Sequence, residues 1–243
     1  MHIDFNSNGL ISLLPSPTLA EWTPHFERVE MSLGQRLFDR ADTQEYLYFP
    51  LTAIVSWLNT LQNGSSTEVA ITGREGMAGI FLLMGATQTQ SNAFVQKAGS
   101  ALRIRLSVVQ ESFDQNTDVQ KIFLRFTRTV LTQLAQSTVC YRHHSLEQQL
   151  CRKLLHTLDR QDGEIILMTH ELLAQALGVR REGISHAAYR LMKDNIISYA
   201  RGRIHVIDRQ ALEHRSCECY GVISKGFPFF INQMDVPPLA PAD

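Results

Sequence analysis

The stretch LGVRREGISHAAYRLMKDNII, Leu177 to Ile197, decides the architecture of this chain. Two adjacent arginines, Arg180 and Arg181, open a helical pattern that runs to about Lys193, only a few residues after Gly178. An isolated arginine pair at a helix start is usually a solvated terminus, so its neighbourhood has to decide its meaning. Upstream lies THELLAQALG, in which Thr169 is a good N-cap and Glu171 sits in the first turn, where the helix dipole favours a carboxylate. Gly178 stands where a left-handed residue would end that helix. Downstream, ISYARGRIHVID alternates around Arg201–Gly202 as a β-hairpin does. The order is helix, short glycine turn, helix, hairpin.

Two helices joined this way form a helix-turn-helix, whose second helix places its N-terminal residues against base edges in the major groove. Those residues are Arg180, Arg181 and Glu182. A guanidinium donates two bonds to guanine O6 and N7, and a carboxylate accepts from cytosine N4. Arg181 is therefore read as the guanine contact, Glu182 as the reader of the neighbouring pair and Arg180 as a phosphate contact. Ser185 and His186, one turn on, are within reach of bases or phosphates. Ala187, Ala188, Tyr189 and Leu191 supply packing, with Tyr189 near the DNA backbone. Arg201 and Arg203 point at phosphates from the hairpin. With Thr169 and Arg190, these make the candidate DNA-facing set. Gly183 is discordant, because glycine inside a helix costs about 1 kcal/mol relative to alanine. A close approach to DNA is the compensation the sequence suggests.

Charge supports the reading locally rather than globally. The chain of 243 residues has a formal net charge of −1, yet residues 142–215 hold 12 Lys+Arg against 9 Asp+Glu. Hydrophobic content of 44% and charged content of 19% describe an ordinary globular chain. Four cysteines, Cys140, Cys151, Cys217 and Cys219, are too few for a disulfide framework. No signal-like or membrane-spanning stretch is present in the sequence, so a cytoplasmic protein with reduced thiols is expected.

Upstream, from about Trp22 to Gln110, the pattern has period two. In SALRIRLSVV, Leu102, Ile104, Leu106 and Val108 share one face, which describes a half-buried strand. EYLYFPLTAIVSWLNTL and STEVAIT read similarly, separated by the hairpin-type loop QNGSS. Short strands at this spacing suggest a β-sandwich or small barrel. Near Asp118 the period changes: Val119, Ile122, Phe123, Phe126, Val130 and Leu134 recur at helical spacing over more than twenty residues without Pro or Gly. This stripe either packs on its own β domain or forms a seam with a second copy. The helix length favours the seam, so these six are the candidate dimerisation residues.

With HHSLEQQLCRKLL, MTHELLAQALGVRREGISHAAYRL and YARGRIHVID in place, the chain resembles the Crp/Fnr family of bacterial transcription regulators from about Leu13 to Tyr220. The stretches YFP, GREGMAG and CECY add to the likeness. The resemblance implies an α+β fold: an N-terminal β-barrel or jelly-roll sensor domain of the cyclic-nucleotide-binding type (1–116), a long dimerisation helix (117–142) and a C-terminal winged helix-turn-helix (143–220). A tail (221–243) follows, Pro-rich and acidic at its end. The resemblance further implies a homodimer on an inverted-repeat operator, with Arg181 and Glu182 at the family's base-reading positions. His186 fills the next, usually basic, position. Duplex DNA, a second copy and, for an activator, RNA polymerase are the implied partners; a membrane is not.

The family's cyclic-nucleotide pocket is another matter. Lining up GMAGIF with the family's glycine-glutamate turn puts Met77 at the glutamate that holds the ribose. Lining up SNAFV puts Ser91 at the phosphate-binding arginine, with Asn92 after it. A buried anion needs such a cation or several N–H donors, so cyclic AMP bound in the usual manner is not expected. Arg74, Glu75, Met77, Ser91 and Asn92 remain as the candidate effector pocket. Arg103 and Arg105 are possible replacements, although strand charges are more often solvated.

No cysteine precedes Cys140, so an iron–sulfur cluster of the family's N-terminal type is not expected either. Cys217-x-Cys219 with His214 nearby falls short of a standard zinc spacing, and no metal site is assigned. Haem on His25, His143 or His144 is conceivable, although His143–His144 read more naturally as the start of a helix in the hinge. The cofactor is left open. Two other functions compete: a protein-interaction module that has lost DNA binding, and a cupin-type metalloenzyme. Residues 26–110 hold no histidine, which counts against the enzyme.

Overall fold

The structure, a computed structural model, describes residues 5–38, 44–85 and 92–226. After short 3₁₀ turns and helix α1 (Ser16–Trp22), the described residues of the N-terminal half form seven strands: β1 (Glu27–Met31), β2 (Arg36–Phe38), β3 (Tyr46–Pro50), β4 (Ile54–Thr60), β5 (Ser66–Thr72), β6 (Asn92–Lys97) and β7 (Gly99–Arg105). All pairings are antiparallel, in two sheets of order β1-β7-β3 and β2-β6-β4-β5.

The expected barrel or jelly-roll is corrected by this topology: among the described residues neither sheet closes. The two open sheets instead share apolar contacts, with Met31 and Ala101 from one meeting Val95 from the other and Ala53 just before β4. Side chains satisfy the free edge of β5. Gln133 Oε1 accepts from the Ile71 amide at 3.2 Å, and the Tyr141 hydroxyl donates to the Glu68 carbonyl at 2.6 Å. A buried edge needs such partners for its backbone groups. Beside β3 a single bridge, Tyr48 to Ala78, takes the place of a further strand.

The strand expected through Val108 stops at Arg105. Leu106 begins helix α2 (Leu106–Gln115), which puts Leu106 and Val108 against the core from a helix. Helix α3 (Thr117–His143) follows, N-capped by the Asn116 side chain on the Asp118 and Val119 amides. Its apolar stripe turns inward. Val119, Phe123, Phe126 and Val130 are buried in the chain's own core with Trp22, Phe49, Leu102 and Ile104, and Ile122 and Leu134 pack partly buried against it. The six candidate dimerisation residues thus pack on the chain's own N-terminal domain. The large apolar residues α3 leaves exposed are Leu124, Leu131 and Val139, at 52%, 50% and 48%.

His143 ends α3 and His144 is its C-cap, rather than the two opening the next helix. Helix α4 (Leu146–Leu158) begins at a capping box between Ser145 and Gln148. Strand β8 (Ile165–Leu167), helix α5 (His170–Leu177), helix α6 (Arg181–Lys193), strands β9 (Ile197–Ala200) and β10 (Arg203–Val206), and helices α7 (Arg209–Arg215) and α8 (Glu218–Ser224) complete the order. The start of the expected tail is therefore helical, and residues 227–243 lie outside the described residues. Leu150, Leu154, Ile166, Leu173, Ile184, Leu191, Ile204 and Leu212 form one apolar core, and the wing is an open sheet of order β8-β10-β9. Among the described residues, no helix is long and apolar enough to cross a membrane.

Candidate nucleic-acid interface

The recognition surface is built from the turn upward. The Thr169 hydroxyl accepts from the Leu172 amide at 3.2 Å and starts α5, and Gly178 ends it at φ +66°. A Cβ on Gly178 would stand 2.4 Å from Thr67 Oγ1 on β5, so the turn sits directly against the N-terminal domain. Helix α6 then splits cleanly. Ile184, Ala187, Ala188 and Leu191 are buried, whereas Arg180, Arg181, Glu182, His186 and Tyr189 are exposed, Tyr189 at 64%. Positive and negative side chains therefore share the first turn on the solvent side.

Other members of the expected set do different work. Ser185 donates to the Arg181 carbonyl at 3.2 Å and lies 3.0 Å from His170 Nδ1, tying α6 to α5. Burial and then the nearby Arg181 charge hold the His170 imidazole below its ordinary pKa. Arg190 pairs with Glu147 on α4, which also receives Arg215 at 2.9 Å. Partial burial pushes the Glu147 carboxyl up, but hydrogen bonds from Arg190 and Arg215 outweigh it and hold the group below its ordinary range. Thr169 acts as a cap. At the discordant Gly183 a Cβ would meet the end of the Leu146 side chain, Cδ2 at 2.9 Å, so Leu146 would have to shift to admit one.

In the wing, Arg201 and Gly202 have φ of +50° and +77°. Positive φ at both central residues of the turn between β9 and β10 marks a type I′ hairpin, which favours Asn, Asp or Gly at its first position. Arginine there is held in a sparsely populated conformation, at a cost of order 1 kcal/mol or more. Arg201 and Arg203 are both exposed.

Among the described residues, the candidate effector side chains point to separate partners. Arg74 pairs with Asp162 at 3.0 Å and Glu75 with Arg160 at 2.7 Å, both across to the C-terminal domain. Met77 is fully buried in the N-terminal core. Asn92 is buried with its amide 3.4 Å from Thr60, and Ser91 lies outside the described residues. Arg103 and Arg105 pair with Glu27 and Glu45 on the sheet surface.

Sequence reasoning missed the charged seat beneath the domain. Lys153 Nζ lies 2.6 Å from both Glu68 carboxylate oxygens and from Gln96 Oε1, all buried or partly so. Arg152, His156 and Arg160 are buried beside it. The one available signal was CRKLLH, a charged pair inside an apolar helical run, which reads as a solvated face until α4 is seen to be covered on all sides.

Residues 148–215 match the model of the Crp-like helix-turn-helix domain. The match assigns a helix-turn-helix domain of the Crp type to this C-terminal segment. Its fold is that of solved Crp/Fnr-type structures. One is a Crp/Fnr-family transcriptional regulator of Eubacterium rectale, with TM-score 0.68, 15% identity, and coverage of 86% of this chain and 98% of that one. Another is FixK2 of Bradyrhizobium japonicum, with TM-score 0.66, 16% identity, and coverage of 79% and 98%. Among curated proteins none matches the sequence. The comparisons thus give a Crp-like helix-turn-helix domain in the C-terminal part and the fold of the chain as a whole.

Proposed function

We propose that the chain works as a homodimer on an inverted-repeat operator, under control of an effector sensed by the N-terminal domain. The observation that carries this reading is the exposed Arg181–Glu182 pair in the first turn of α6, beside a wing that holds Arg201 at positive φ. Arg181 donates two bonds to guanine O6 and N7, Glu182 accepts from cytosine N4, and Arg180 meets a phosphate. His186 and Tyr189 extend the same exposed face. Arg201 and Arg203 grip the backbone from the wing, which offsets the cost of the Arg201 conformation.

The dimer seam of this reading is the outward face of α3. Leu124, Leu131 and Thr138 recur every seven residues, with Ala135 and Val139 beside them, and all five are exposed. That repeat is the spacing of a two-stranded coiled coil. Two copies paired there present two α6 helices to half-sites about one helical turn apart. An effector acts by binding two arrangements of this dimer with different affinity. This reading does not take cyclic AMP bound in the usual manner as that effector, because the resemblance puts Met77, a buried core residue, at the ribose-holding glutamate position. In an activator, RNA polymerase is the further partner.

Selection of binding sites from random duplex DNA tests the reading. The purified protein enriches an inverted repeat, and Arg181→Ala lowers affinity for it by about 5- to 150-fold, the equivalent of about 1–3 kcal/mol for a bidentate base contact. A folded dimer that enriches nothing, with cell extract added as a source of effector, overturns the proposal.

A further inference from the structure

Away from the DNA-facing surface, four side chains from distant parts of the chain converge. Cys140 and His144 are one turn apart at the end of α3, and Cys217 and Cys219 sit at the N-terminus of α8. Cys140 and Cys217 bring their Sγ atoms to 3.5 Å, and Cys219 Sγ lies 3.5 Å from His144 Nδ1. All four potential ligand atoms lie within 4.8 Å of one another. The three cysteines are buried and His144 is largely so.

Buried thiols are often no more than small apolar side chains. Here, however, the surrounding polar groups are oriented as a metal's outer shell would be. His144 Nε2 lies 3.2 Å from the Glu218 carboxylate, which leaves Nδ1 with its lone pair directed at the cysteines. A histidine ligand held by a carboxylate on its other nitrogen is the recurrent arrangement at zinc. The Gln136 amide donates to Cys219 Sγ at 3.0 Å. A tetrahedral ion with bonds of about 2.3 Å to sulfur and about 2.0–2.1 Å to nitrogen separates its ligand atoms by roughly 3.5–3.8 Å, so the two 3.5 Å pairs already fit and a contraction of at most about 1 Å elsewhere closes the set. The same compactness excludes a polynuclear iron–sulfur core, which would hold its cysteine sulfurs well apart.

We propose that Cys140, His144, Cys217 and Cys219 form a mononuclear Cys₃His site for a Zn²⁺-class ion, which clamps α8 to the hinge end of α3. Loading forms three metal–thiolate bonds and one metal–imidazole bond, and the three thiol protons go to solvent. The resulting site carries one net negative charge. The buried guanidinium of Arg152, on α4 and close enough to act on Cys140, offsets it. Because the site closes the junction between the long helix and the DNA-binding domain, its occupancy fixes the C-terminal domain where that domain leaves α3.

The experiment is a Co²⁺ titration of the full-length chain, reduced and stripped with chelator. One equivalent per chain binds, with a thiolate-to-cobalt charge-transfer band and tetrahedral ligand-field bands that stoichiometric Zn²⁺ abolishes. Cys151→Ser, at a buried cysteine outside the cluster, keeps those bands, and Cys219→Ser loses the three-thiolate spectrum. Glu218→Gln, at an exposed side chain, keeps the band but weakens affinity about 10- to 100-fold. The wild-type titration requires no variant to fold and no DNA, so its outcome is separate from that of the operator selection. Folded, reduced wild-type protein that takes up no cobalt overturns the site. So does a spectrum that Cys219→Ser leaves unchanged.

Discussion

Helix α4 belongs to two interiors of opposite chemistry. Toward its own domain it turns Leu150, Leu154 and Leu155, which meet Ile184 and Leu191 of α6 and Leu212 of α7 in an all-apolar core. Toward the N-terminal domain it turns Lys153 and, just past its end, Arg160, which reach the buried carboxylates Glu68 and Glu75. The apolar side is non-directional and proportional to area, so it sets the fold of the domain without demanding one exact geometry. The charged side has to recover the desolvation of each ion through specific hydrogen bonds, so it holds only while the two domains keep this orientation. The difference separates what makes the DNA-binding domain from what seats it. It also locates the junction most easily undone by moving one domain against the other.

Three outcomes would break or sharpen that contrast. The largest is Lys153→Met, which strands the buried Glu68 carboxylate and costs about 3–5 kcal/mol of stability, whereas Lys153→Met with Glu68→Leu is near neutral or stabilising. Denaturant midpoints of the single and double variants check it; equal losses in both would mean that the pair contributes through packing alone. Next is Leu191→Ala in the apolar core, expected to cost about 2–5 kcal/mol by cavity formation with no rescue from any charge change. Thermal unfolding measures it.

The smallest effect is pH dependence. Burial first, then the charges of Arg160, Arg152 and Lys153, hold His156 well below its ordinary value of 6.5. Its folded form stays neutral while the unfolded chain takes up a proton, so stability is full above pH 6.5 and falls as pH drops below it, by at most about 1.4 kcal/mol per pH unit. His156→Gln flattens that limb in urea titrations at pH 5 to 7. An unchanged slope would place the titration elsewhere.

Much of the DNA-facing half was legible because its signals are local. Thr169, Gly178, Arg181 and Arg201–Gly202 announce a cap, a left-handed turn, a helix start and a hairpin from sequence spacing alone, and the structure places the elements there. The N-terminal half was legible in its strands but not in their closure. Whether β5 meets another strand or the side chains of Gln133 and Tyr141 depends on how α3 docks, and period-two alternation carries no trace of that. The stripe on α3 was read correctly as apolar and helical. Its destination was not visible, because the same 3–4 spacing serves a domain core and a dimer seam equally well. Arg190 and Ser185 looked free for DNA because their partners, Glu147 and His170, come from other helices.

By itself, the sequence determined the helix-turn-helix and its wing, the placement of Arg181 and Glu182 at the head of α6, and the existence of one long amphipathic helix. Each depends on contacts a few residues apart, which backbone geometry imposes on any chain with those residues. Tertiary structure alone decided the open sheets, the inward turn of α3, the buried pairs of Lys153 and Arg160, and the meeting of Cys140 and His144 with Cys217 and Cys219. The last brings together residues some 75 positions apart, and nothing in either segment specifies the other. They meet because α8 packs on the end of α3, a consequence of burying apolar surface over the whole domain.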